Sequence, residues 1–369
     1  MAQAVVQKST CIELQDVQVE RLSTLSRVSL IVQDRPIWFE SSDAILEPAI
    51  EAFANVLLLP ALNHGYRIKI NTPIDADWLQ GMQKLSPIYG SWWGYSSDCP
   101  IDAAETYRST HRSNRTGICF TGGVDSFFSL QSFQAEVSRL VFAWGYDIPL
   151  KQPAKMSAFR RSLDQIAAHT QTAPIVISTN LREHPLIRSI SWERLHGSAL
   201  TALGILLSGE IGRLIIPPSY AMFRLQPWGS HPETDSLYST SRCKMLHHET
   251  DEIRFGRIKS IASNPLVQQH LRICYADTSA MNCSACEKCV MTMLALNQLR
   301  VFHACQTFDR SIALEDRVRQ LNQASPHLLE LWRDLATTET SSPIHRAIQS
   351  KIRPQLLKQT FRKLKQFLR

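Results

Sequence analysis

The sequence predicts an α/β fold built on a parallel sheet, and three observations carry that expectation. From Gly117 onward, short apolar runs of strand length alternate with stretches of helical periodicity. A Gly-Gly pair falls between one such run and the helical stretch after it. Four of the nine cysteines crowd into residues 274–289. Alternating strands and helices place a parallel sheet between layers of helices, while the glycine pair and the cysteines mark places where the chain does more than pack.

Strands are expected at 117–120, 140–144, 175–178 and 214–216, with helices near 125–135, 155–169 and 192–208. Residues 1–113 combine β-like runs at 28–32 and 66–70 with a helical pattern at 44–58 and predict an N-terminal α+β domain. The polar stretch 109–116 breaks the periodicity and sets the boundary near residue 113. A central domain at 114–300 then carries the motifs, and 301–369 forms a helical C-terminal region. A long loop rich in Gly, Pro, Ser and His follows Pro217.

With 369 residues, 44% hydrophobic and 20% charged, the chain can bury a sizeable core. No apolar stretch approaches the roughly 20 residues of a membrane-spanning helix. The first residues lack both a basic start with an apolar core and the Arg-rich look of a transit segment, so a cytoplasmic location is expected. The net charge of +7 is a property of the tail: residues 340–369 hold eight Lys or Arg and no acid, leaving 32 basic and 33 acidic residues, net −1, elsewhere. The body therefore makes no electrostatic case for nucleic acid. In the tail, Leu357, Phe361, Leu364 and Leu368 recur on one helical face among Lys358, Arg362, Lys363, Lys365 and Arg369. Such a helix docks on its own body, an acidic partner or an anionic membrane surface. The oligomeric state is open, a homo-oligomer included.

Gly117-Ile-Cys-Phe-Thr-Gly-Gly-Val-Asp-Ser-Phe-Phe128 is a strand running through a glycine pair into a helix. Gly122 and Gly123 let the backbone approach an anion, and the helix N-terminus turns its N–H groups toward it. Thr121 and Ser126 add hydroxyls, and Asp125 offers a carboxylate for Mg2+ on a bound polyphosphate. The plain alternative is a tight turn with Asp125 as a helix cap. Cys274, Cys283, Cys286 and Cys289 have the spacing of one tetrahedral metal site, zinc ahead of an iron–sulfur cluster, and a closed four-sulfur shell is structural. Cys11, Cys99, Cys119, Cys243 and Cys305 are scattered and fit small buried hydrophobes.

The string from Thr121 to Ser126 resembles the Ser-Gly-Gly-x-Asp-Ser loop of the PP-loop ATP pyrophosphatases, Thr121 keeping the hydroxyl of the first serine. That resemblance implies a Rossmann-like sheet of the adenine-nucleotide α-hydrolase type that cleaves ATP to AMP and pyrophosphate while adenylating a carboxyl or carbonyl oxygen. ATP is then held by Thr121, Gly122, Gly123, Asp125 and Ser126, with Asp125 and Ser126 catalytic, and Gly145 receives the adenine. Followed about 150 residues later by the cysteines, the loop is also similar to that of the 7-cyano-7-deazaguanine synthases, which convert a carboxylate to a nitrile with ammonia. Their zinc carries over to Cys274, Cys283, Cys286 and Cys289. The resemblance covers roughly 117–296, and Met291 stands where that family carries Arg, which implies a substrate of the chain's own. A small-molecule carboxylate, captured by free ammonia or an amine, is the implied chemistry. A tRNA-modifying enzyme using Cys119 and a non-catalytic nucleotide- or partner-binding module are the rivals.

In the loop after Pro217, Ser230, His231 and Asp235 are candidates for substrate recognition at the carboxyl edge of the sheet, against a solvent loop. Arg257 and Lys259 can neutralise pyrophosphate, against a solvated helix face. His196, among apolar neighbours, fits a core histidine.

Overall fold

Runs of β-branched and aromatic residues broken by turns open the chain. In order come β1 (Cys11–Leu14), β2 (Gln18–Leu22), β3 (Leu25–Val32), β4 (Arg35–Ser41), α1 (Ile50–His64), β5 (Arg67–Ile70), β6 (Ile74–Asp75), α2 (Ala76–Trp93), β7 (Ile101–Ala103) and β8 (Thr106–Tyr107). The expected alternation follows as β9 (Thr116–Cys119), α3 (Val124–Ser132), β10 (Val137–Trp144), α4 (Pro153–Thr170), β11 (Ala173–Thr179), α5 (Pro185–Arg188), α6 (Trp192–Leu206) and β12 (Arg213–Ile216). Beyond it lie α7 (Pro232–Asp235), β13 (Lys244–His247), α8 (Arg254–Ile261), α9 (Pro265–His270), α10 (Glu287–Gln298), α11 (Leu314–Gln320) and α12 (Leu329–Thr338), and residues 344–354 are helical. The computed structural model describes residues 11–276, 280–322, 325, 328–338 and 344–354; the tail residues 357–369 lie outside the described residues.

Two compact units divide the chain: Met1–Phe120 with Phe133–Lys151 and Ala167–Thr250, and Thr121–Ser132 with Gln152–Ile166 and Asp251–Arg369. The first holds an eight-stranded mixed sheet in the order β13-β12-β9-β10-β11-β4-β3-β2. Its strands from β13 to β11 are parallel, and β4, β3 and β2 continue it antiparallel. All four residues of β9 are buried, as a central strand covered on both faces requires. The fold class is thus α/β with parallel strands in a mixed sheet.

Of the N-terminal strands, β2, β3 and β4 share this sheet with the strands that follow residue 113, while β1, β5 and β7 form a three-stranded sheet and β6 and β8 a two-stranded one. β4 pairs with the free edge of β11 through Ser178 opposite Glu40. The Val176 N–H donates to Asp43 Oδ2 at 2.9 Å, and the Ser41 hydroxyl donates to the Val176 carbonyl at 2.8 Å. The boundary expected near 113 therefore falls inside the first unit. Periodicity announces a strand, but which unpaired edge it joins is decided by backbone groups far away in sequence.

Helix α1 packs against α6 and buries every residue from Ile50 to Leu62, so it is apolar nearly all round. Its one central polar side chain is satisfied: Asn55 donates to Thr201 Oγ1 at 3.1 Å and accepts from Trp78 Nε1. In the second unit, α3 packs on α8, and α10 packs on α8, α11 and α12, burying Val124, Phe127, Ile258, Val290, Leu294 and Trp332. Among the described residues no helix is long and apolar enough to cross a membrane.

Gly197 shows where packing overrides propensity. A Cβ there would lie 1.8 Å from the Gly229 carbonyl oxygen, so the helix needs glycine for close approach. Replacing an ordinary helix-interior glycine by alanine gains about 1 kcal/mol. Gly197→Ala should instead destabilise by about 1–3 kcal/mol through overpacking, read from urea unfolding; equal or greater stability would refute the contact.

Candidate phosphate loop and metal centre

Strand β9 ends at Cys119, and Phe120 extends it by donating its N–H to the Val141 carbonyl at 2.8 Å. The chain then turns through Gly122, whose φ of 72° lies in the left-handed region that side chains resist. A Cβ at Gly122 would sit 3.2 Å from the Phe159 ring, and one at Gly123 would sit 3.2 Å from Thr121 Oγ1. Helix α3 begins at once, so its first N–H groups have no acceptor within the helix and present the positive dipole end. Ser126 is buried and donates its hydroxyl to the Gly123 carbonyl at 3.0 Å, which rigidifies the turn.

Three arginines surround this loop. Arg254 and Arg257, one turn apart on α8, pair with Asp125: Nη1 of Arg254 lies 2.7 Å from Oδ2 and Nη1 of Arg257 lies 2.6 Å from Oδ1. Arg257 is 1% exposed. Burial would raise the Asp125 carboxyl, but the attraction of Arg254 and Arg257 outweighs it and holds the group below its ordinary value. Arg272 donates its main-chain N–H to the Gly122 carbonyl at 2.7 Å and Nη1 to the Thr121 carbonyl at 3.1 Å. Arg257, a candidate from sequence, is thus brought to the loop, whereas Lys259 is exposed on α8. Arg254 and Arg272 were missed; the i, i+3 spacing of Arg254 with Arg257 was the one available signal.

The cysteines form the second element of this unit. Their four sulfurs lie within 4.8 Å of one another, with Cys274 to Cys286 at 3.9 Å and Cys283 to Cys289 at 3.8 Å. Tetrahedral zinc with bonds of about 2.3 Å sets its sulfurs about 3.8 Å apart, so the four fit a metal ion such as zinc. Main-chain N–H groups of Ala276 and Cys286 donate to the sulfurs of Cys274 and Cys283 at 3.3 and 3.2 Å, favouring thiolates. Hydrogen bonds from the Cys286 and Cys289 thiols pull Cys274 well below the ordinary thiol range. Buried Asn282 braces the site, accepting from the Ile273 N–H at 2.9 Å and donating to the Leu271 carbonyl at 2.8 Å.

The other candidates belong to the first unit. Asp235, fully buried, accepts from Ser230 Oγ at 2.7 Å, the His231 N–H at 3.2 Å and His247 Nδ1 at 2.8 Å. His231 caps α7 by accepting from the Glu233 N–H at 3.1 Å, and burial pushes its imidazole down. The expected loop is therefore an ordered, buried hydrogen-bond network, and His247 at the carboxyl end of β13 is a member that sequence reasoning missed because β13 itself was missed. Gly145 serves packing: a Cβ would lie 2.0 Å from the Thr179 carbonyl oxygen, and its N–H already donates to the Ile148 carbonyl at 2.9 Å. His196 is driven toward neutrality by burial, as a core histidine should be. Cys119 is buried and burial raises its thiol well above the ordinary range, which disfavours the thiolate.

Comparison of the chain with family models, with curated proteins and with solved structures finds no match.

Two outcomes follow from this geometry. Elemental analysis should find about one zinc per chain, and Cys286→Ser should lower both metal content and thermal stability; iron with sulfide would identify a different metal. The depressed Asp125 carboxyl contributes stability that is full above its unfolded value of 3.8 and is lost as pH falls through the lower folded value. Asp125→Asn should therefore be less stable than the wild type at neutral pH, with the gap closing below pH 3.8. A gap that stays constant down to pH 2 in thermal unfolding would show that the ion pairs contribute nothing.

Proposed function

We propose that this chain is an ATP-dependent enzyme of the PP-loop type that adenylates a small-molecule carboxylate for amide or nitrile formation with ammonia or an amine. The observation that carries the proposal is the loop itself: a buried central strand, two glycines where a Cβ would crowd its neighbours, and a helix N-terminus, ringed by arginines. The strand order supports it. Strands β10 and β11 run out to one side of β9 and β12 and β13 to the other, the arrangement of a Rossmann-like sheet, whose ligands lie beyond the carboxyl ends where the order reverses.

ATP fits the loop in two respects. The first N–H groups of α3 have no acceptor within the helix, and the Nε and Nη2 donors of buried Arg272 have no hydrogen-bond partner among the described residues, as an anion would supply. Magnesium at Asp125 does not fit, because each carboxylate oxygen is already bonded to a guanidinium and two adjacent cations repel a third.

In the reaction, a carboxylate oxygen of the substrate bonds to the α-phosphorus while the bond from that phosphorus to the bridging oxygen breaks, and pyrophosphate leaves with the electron pair. Ammonia or the amine then attacks the acyl carbon, the nitrogen loses a proton and AMP leaves, giving the amide; with ammonia, a second ATP adenylates the amide oxygen, which departs with AMP as the nitrogen loses its remaining protons, giving the nitrile. The loop N–H groups and arginines orient the phosphates and take up the charge growing on the leaving group. Cys274, Cys283, Cys286 and Cys289 would hold the metal, and a zinc held by four sulfurs would be structural, with no open position for substrate.

The test is pyrophosphate release from ATP across a panel of carboxylates with ammonia or amines. Gly123→Val, which fills the space beside Thr121, should abolish release while leaving metal content unchanged. ATP binding without release from any carboxylate would overturn the enzymatic assignment and leave a nucleotide-binding module.

A further inference from the structure

We infer that Arg254, Arg257 and Arg272 take the place of a divalent cation at this loop, so that it binds a pyrophosphate-bearing ligand without magnesium. The inference rests on the phosphate-loop assignment above and adds to it the means of charge neutralisation. Arg254 and Arg257 pair with the Asp125 carboxylate and Arg272 binds the Thr121 carbonyl, so three guanidinium groups stand at a loop that carries one carboxylate. A divalent cation would add a charge that the arginines already supply.

Arg272 gives the site its geometry. It is 2% exposed, and its Nη1 is spent on the Thr121 carbonyl. Nε and Nη2 lie on the same edge of the guanidinium and are the two donors left without a partner among the described residues. That edge matches two oxygens of one phosphate in a side-on bidentate contact. The cation sits over the Phe159 ring at 5.4 Å, which satisfies its face but not its in-plane donors. Buried donors left unpaired are costly and rare, and they belong to a guanidinium anchored at the turn by its Nη1 bond to the Thr121 carbonyl, with Arg272 Cβ 3.6 Å from the Gly122 Cβ position. Arg272 is also two residues from Cys274, and its main-chain N–H and Nη1 bonds to the Gly122 and Thr121 carbonyls hold it against the loop.

The experiment is calorimetric titration of the full chain with ATP and with inorganic pyrophosphate, in magnesium-free buffer and again with magnesium, zinc content being checked before and after. Both probes should bind without magnesium, with affinity changing less than about threefold when it is added. Loss of the bidentate contact in Arg272→Gln should weaken pyrophosphate binding by about tenfold or more. Arg254→Gln, at a position 28% exposed and tolerant of change, should weaken it by several fold and keeps the test decisive if the Arg272 variant does not fold. Binding that appears only with magnesium would overturn the inference and leave the loop assignment standing. Unchanged affinity in both arginine variants would also overturn it. Failure of both probes to bind under every condition would overturn the loop assignment together with it.

Discussion

The 2.7 Å hydrogen bond from the Arg272 main-chain N–H to the Gly122 carbonyl joins the two chemical features of the second unit. On one side of it the glycine turn needs a left-handed residue and close backbone contact; on the other the chain runs into Cys274 and the four-sulfur cluster. A metal ion there would draw together Cys274, Cys283, Cys286 and Cys289 and, through the two peptide bonds between Cys274 and Arg272, constrain where Arg272 stands. Metal binding in such sites is coupled to folding, so a metal at the four sulfurs would also order the glycine turn that Arg272 is bonded to. Asn282 and Ser284 carry the bracing outward: Ser284 Oγ accepts from the Asp309 N–H at 2.8 Å, and buried Arg317 donates to the Ser284 carbonyl at 2.9 Å.

Charge is organised just as locally. The chain carries +7 overall, yet the excess lies in its last thirty residues, and the second unit's loop gains its positive potential from three arginines and a helix end. An ion pair of moderate burial is worth little when isolated, but the Asp125 pairs fix where two guanidiniums sit. A carboxylate in that position holds two like charges close together. The same residue type serves differently in the first unit, where Asp235 gathers three donors in a fully buried site and orders the segment that follows β12.

Glycines divide by the same physical test. Gly122 is required by its dihedral angle and by the room it leaves near Phe159, whereas Gly145, with a φ of 110°, is required because the Thr179 carbonyl already fills the space a side chain would need. Both end or follow a parallel strand, and both are compatible with a nucleotide on sequence grounds. What lies opposite the missing side chain separates them.

Strand and helix periods in residues 117–216, the glycine turn, and the cysteine spacing were legible in the sequence because each is written within a few residues: side chains two or 3.6 positions apart share a face, and two-residue gaps let thiolates converge. The association of residues 18–41 with the edge of β11, the existence of β13, and the identity of the groups around Asp125 were not. Arg254, Arg257 and Arg272 reach the loop across sequence separations of 129, 132 and 151 residues, and no local period encodes such a meeting. Sequence alone determined which segments could bind an anion and a metal. Tertiary structure decided that Asp125 is bonded to arginines and that Gly145 is closed by Thr179, because hydrogen bonds and charges are satisfied by whatever the packed core brings within reach.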